Sequence, residues 1–67
     1  MTSQQQLFGK DLNILKDQLG HEELAYKKCT LYSQQIMDQQ LKSFVTQLAN
    51  QHKQNYNCMQ QYLSTNS

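Results

Sequence analysis

The sequence predicts an all-α fold: an antiparallel helical hairpin that forms a four-helix bundle when two chains pair. Three observations carry this expectation. Proline is absent and the only glycines are Gly9 and Gly20, so long helices meet almost no breaker. Apolar residues recur at alternating spacings of three and four in both halves of the chain, the rhythm that keeps side chains on one helical face. Between the two rows lies "IMDQQL", where Asp38 can cap a second helix with almost no linker, and so short a turn makes the helices antiparallel neighbours.

The first helix is expected over roughly residues 8–37, with Leu15, Gln18, Glu22, Ala25, Cys29, Tyr32 and Ile36 along its inner row and Leu12, Leu19 and Leu24 beside it. Gly20 costs such a helix up to about 1 kcal/mol relative to alanine, so a continuous helix with at most a bend is predicted there. The second helix follows over roughly 39–63, with Leu41, Val45, Leu48, His52, Asn55, Met59 and Tyr62 in its row and Phe44, Tyr56 and Leu63 widening it. The closing "STNS", residues 64–67, reads as a polar tail. The 67 residues are expected to form a single α-hairpin domain. A two-helix hairpin has one apolar face and nothing of its own to cover it, and a chain of ~60 residues buries only about 60% of its unfolded surface. A homodimer closing a four-helix bundle is therefore expected.

Composition removes several classes of function. Six lysines, no arginine and five acidic residues give a formal charge of +1, with the cations spread from Lys10 to Lys53. That distribution argues against nucleic acid as a partner. No apolar run approaches the ~20 residues of a membrane span, and "MTSQQQLFGK" lacks the basic-then-apolar order of a secretory signal, so a soluble intracellular product is expected. Thirteen glutamines and five asparagines accompany only 16% charged residues, below the roughly 25% of ordinary globular chains. The sustained helical period separates this chain from disordered glutamine-rich segments.

The polar residues inside the rows are the candidates for chemistry. With a turn centred near residue 39, residues whose numbers sum to about 78 lie level across the hairpin. Tyr26 then falls beside His52, Glu22 beside Tyr56 and Glu23 beside Asn55, which gathers Glu22, Tyr26, His52, Asn55 and Tyr56 into one layer. Glu22 and His52 are its nearest approach to a metal-ligand pair, suited to a single zinc ion. One carboxylate and one imidazole per hairpin make a thin ligand set, so the layer is assigned a structural role, setting register through its own hydrogen bonds. No cofactor and no catalytic residue are assigned. Cys29 and Cys58 are about nine residues out of level, on the order of 13 Å, too far for a disulfide. His52 lies six residues from Cys58, nearly opposite on the helix, so no cysteine–base pair forms. With no phosphate-binding glycine loop or zinc spacing either, the chain is expected not to be an enzyme.

Across residues 16–63 the stretches "DQLGHEEL", "YSQQIMDQQLK" and "HKQNYNCMQQYL" follow one another in an order and spacing that resemble the coat F family of ferritin-like proteins from spore-forming bacteria. Gln39 stands where proline is common in that family, and the Glu-x-x-His register of ferritin-like iron sites falls on His52 and Asn55. The resemblance implies a ferritin-like half-bundle, made by sporulating cells and located in the spore coat or mother-cell cytoplasm, where other coat proteins are its partners. It frames three readings: a structural coat protein, a small metal-binding ferritin-like protein, and a helical adaptor for other coat proteins.

Overall fold

A computed structural model describes residues 9–66 as two antiparallel helices, α1 (Gly9–Gln35) and α2 (Gln39–Asn66). The fold is an all-α helical hairpin. The expected helix start at residue 8 and the last tail residue, Ser67, lie outside the described residues. α1 passes through Gly20 without interruption. A Cβ built there meets nothing within 4 Å, and the backbone angle is that of an ordinary helix, so no close approach requires glycine.

α2 extends to Asn66, three residues beyond the expected end. The hydroxyls of Ser64 and Thr65 donate to the carbonyls of Gln60 and Gln61 at 3.1 and 2.9 Å. These residues bond back onto the preceding turn instead of competing with it, so most of the expected polar tail is helical.

At the other end of the molecule α1 stops at Gln35, two residues before the expected boundary. Ile36 N–H still bonds to Tyr32 O at 3.0 Å, after which residues 36–38 cross to α2. Asp38 caps α2 as expected: its Oδ1 accepts the Leu41 N–H at 2.8 Å, and its carbonyl accepts Lys42 N–H at 2.9 Å.

The end of α1 is closed differently. Among the described residues none has positive φ, so the usual left-handed C-terminal residue is missing. In its place the Lys42 ammonium donates to Ser33 O at 2.8 Å and reaches Ile36 O at 3.5 Å. One cation thus satisfies carbonyls that α1 leaves open and sits at the negative end of its dipole. Lys42→Met, which keeps most of the stem, should lower stability by about 1–2 kcal/mol. Urea unfolding followed by circular dichroism checks this, and a midpoint equal to wild type would show that the cap is idle.

The interior seam differs from the expected rows by one position in places. In α1 the half-buried or buried positions include Leu12, Leu15, Leu19, Glu22, Tyr26, Cys29 and Ser33, with Ile36 just past its end; in α2 they include Lys42, Val45, Ala49, His52, Tyr56, Met59 and Leu63. Ala49 is the most buried apolar residue, 4% exposed. Leu41, Leu48 and Tyr62, each placed inside by the sequence reading, stand one residue before Lys42, Ala49 and Leu63 and are exposed, as are Tyr32 and Gln18 on α1. Small Ala49 lets the helices approach closely, and the larger side chain beside it turns outward.

Candidate functional site

The polar layer forms around Glu22, the buried acid of α1. Its Oε1 accepts from His52 Nδ1 at 2.7 Å and from Asn55 Nδ2 at 3.3 Å, while Oε2 accepts from Gln18 Nε2 at 3.2 Å. A carboxylate only accepts, so the hydrogen in the shortest contact belongs to Nδ1 in either charge state of the ring. Three donors on one buried acid leave the layer internally satisfied. Among the described residues no buried side-chain nitrogen or oxygen lacks a partner.

The composition of the layer is partly as the spacing predicts. Glu22, His52 and Asn55 come together, and Gln18 joins them. Tyr26 and Tyr56 do not: with Glu23, Lys27, Lys53 and Asn57 they line a shallow notch of about 200 Å³ on the opposite flank. There Lys53 Nζ lies 5.7 Å from the Tyr26 ring centroid, and Lys27 pairs with Glu23 at 3.3 Å in solvent. Glu22 meets His52 rather than Tyr56 because the turn centres on Met37, not residue 39, which shifts the level pairing by about one helical turn. Cys29 and Cys58 are both free thiols, the first half-buried and the second exposed.

Hydrogen bonding holds the Glu22 carboxyl below its ordinary value of 4.5. The bond from His52 is the largest cause, burial opposes it, and Asn55, Gln18 and the His52 charge add to the lowering. A depressed folded-state value stabilises the fold above the unfolded value, and that contribution disappears as pH falls from 4.5 through the lower folded value. The thermal midpoint should therefore hold steady in the weakly acidic range and drop below pH 4.5. Glu22→Gln should start lower at neutral pH and show a shallower acid limb; parallel limbs in the two proteins would remove Glu22 as the cause.

For a metal ion this donor set is thin. Glu22 and His52 supply one carboxylate and one imidazole, and their donor atoms are engaged with each other. Among the described residues no group of three or more His, Cys, Asp or Glu converges. These residues do not fit the di-iron centre of ferritin-like proteins, which needs several carboxylates.

The second feature of the surface is its asymmetry. The flank next to Gln18, Glu22 and Asn55 carries Ile14 and Tyr32 from α1 and Leu41, Phe44, Leu48 and Tyr62 from α2, all exposed, with Phe44 at 56% and Leu41 at 50%. The flank with the notch presents Lys16, Glu23, Lys27 and Thr30 from α1 and Thr46, Asn50, Lys53 and Asn57 from α2, and none of the exposed large apolar residues falls on it. Leu24, Leu31 and Met37 are exposed elsewhere, on the outer face of α1 and at the turn. Among the described residues no helix is long and apolar enough to cross a membrane. Compared with family models, curated proteins and solved structures, the chain matches none, so the functional reading rests on these residues.

Proposed function

We propose that this chain is a non-enzymatic structural and interaction protein. It works as half of a four-helix bundle, with a second copy of itself covering the apolar flank. The observation that carries this reading is the one-sided surface: every exposed large apolar residue of the two inner rows lies beside the Glu22 layer, and the other flank is polar. A hairpin built to stay single gains nothing from such a division. Side chains of this kind, each about half exposed in the hairpin, contribute about 1 kcal/mol each when their remaining surface is covered, and depletion of charge is the mark of an interface core.

The spore coat as the setting comes from the likeness of "DQLGHEEL", "YSQQIMDQQLK" and "HKQNYNCMQQYL" to the coat F family; other coat proteins are then the further partners. Sedimentation equilibrium of the purified protein, alone and mixed with candidate coat proteins, tests both parts. A two-chain mass at micromolar concentration is expected. A one-chain mass with full helicity in the presence of a coat protein that shifts it to a mixed complex would replace self-pairing with the adaptor reading.

A further inference from the structure

The notch on the polar flank draws on one turn of each helix. Glu23, Tyr26 and Lys27 come from α1, and Lys53, Tyr56 and Asn57 from α2. Spacings of three and four keep each set on one face of its helix. Tyr26 and Tyr56 are half-buried and supply an aromatic wall, while the four polar side chains are exposed and stand at the rim.

The charges of that rim do not balance. Lys27 is paired with Glu23 at 3.3 Å. Lys53 forms no ion pair among the described residues, and its ammonium lies 5.7 Å from the Tyr26 ring centroid. An exposed cation over a ring is weakly held, and the lysine stem is flexible enough to move its charge to a stronger partner. The notch thus offers two aromatic side chains and one cation without a counter-charge.

From this arrangement we infer that the notch binds a small aromatic monocarboxylate, its ring against Tyr26 and Tyr56 and its carboxylate on the Lys53 ammonium. A volume of about 200 Å³ falls below the ~300 Å³ at which sites for larger ligands begin, so the ligand is about one ring in size. Offset or edge-to-face contact with the phenol rings favours an aromatic body over a saturated one. The carboxylate replaces a cation–ring contact with a charge-assisted hydrogen bond.

Other ligand classes lose one of these gains. A neutral aromatic displaces the ammonium from Tyr26 and gives it nothing in return. A cation meets Lys53 as a like charge. A second carboxylate finds no free cation, because Lys27 is already taken by Glu23. The notch lies on the flank opposite the exposed apolar row, so the inference does not depend on self-pairing.

Benzoate is the probe, titrated into the full-length labelled wild-type protein at low salt, with backbone and tyrosine-ring NMR shifts as the readout. Saturable shifts centred on Tyr26, Lys53 and Tyr56 are expected, with a Kd of about 1–10 mM for so small a ligand. Benzamide keeps the shape without the charge, and cyclohexanecarboxylate keeps the charge without the aromatic ring. Each should bind at least about fivefold more weakly. Lys53→Gln, an exposed change that should leave the circular dichroism as in wild type, should reduce benzoate to the level of benzamide.

No saturable shift at the notch well above that concentration range overturns the site. Benzamide binding as tightly as benzoate overturns the pairing with Lys53, and cyclohexanecarboxylate binding as tightly overturns the aromatic contact. Shifts centred instead on Phe44 and Leu48 mean adsorption to the apolar flank and overturn the notch as the binding place.

Discussion

Leu48→Asp should convert the protein from a two-chain to a one-chain species and make its thermal midpoint independent of concentration. Leu48 is 37% exposed in the hairpin and lies in the middle of the apolar row, between Phe44 and the amides of the polar layer. In a two-fold pair the substitution acts twice. Covering the exposed third of each Leu48 is worth about 0.5–1 kcal/mol, so losing both, before any cost of bringing two carboxylates into the interface, weakens association by at least about fivefold. Phe44→Asp should do the same. Asn50→Asp adds the same charge on the polar flank and should leave association unchanged. Linkage supplies the second readout, because a fold stabilised by a partner gains stability with protein concentration and a fold without one does not. If Leu48→Asp and Phe44→Asp dimerise like wild type, the apolar flank is not the contact surface.

The hairpin itself was legible because its signals are local. Asp38 three residues before Leu41 announces a cap, and the bond from Leu41 N–H to Asp38 Oδ1 is the one expected of it. The long apolar periods required only the absence of proline and the tolerance of Gly20. The end of α1 was illegible for the opposite reason. Its carbonyls are met by Lys42, nine residues beyond Ser33 across the turn, and no local pattern marks a lysine as a cap for a helix that precedes it. With that end misplaced by two residues the turn centre moved, and the level pairing moved with it. Glu22 and His52 were therefore placed in the right layer but about one turn out of level with each other, with Tyr26 and Tyr56 assigned to a layer they do not join.

The inner row of α2 was blurred by a different cause. Leu48 and Ala49, or Tyr62 and Leu63, are neighbours on the helical wheel, and a hairpin that is apolar both in its seam and on one flank shows periodicity a single wide stripe wide. Hydrophobicity favours the larger residue of each pair as the core. Close packing favours the smaller one where backbones approach. The sequence holds the signal that separates them, since Val45, Ala49 and His52 share a strict spacing with Lys42, Tyr56, Met59 and Leu63, but reading it requires placing polar and small residues inside and leucines outside. Where the stripe is wider than one neighbouring helix can cover, its excess belongs to another interface.

Ala49→Asp should abolish the hairpin outright. Ala49 is the tightest apolar position described, 4% exposed, and lies one turn from His52 along the seam. A carboxylate there has no room without separating the helices, and one forced to stay loses water at a cost of several kcal/mol with no partner arranged to receive it. The layer one turn away offers no rescue, because its imidazole and amide donors are already engaged by Glu22. A chain with so small an interior has little stability to lose, so the substitution should remove most of the helical circular dichroism at neutral pH. Ala49→Ser keeps the volume nearly constant and should cost only about 1 kcal/mol, its hydroxyl bonding back to the Val45 carbonyl. The comparison with Leu48→Asp is the sharper half of the experiment. The same carboxylate one residue earlier should leave a helical monomer, while at position 49 it should leave an unfolded one. Equal loss of helix in both proteins, independent of concentration, would mean that seam and flank form one cooperative core that no single hairpin can maintain.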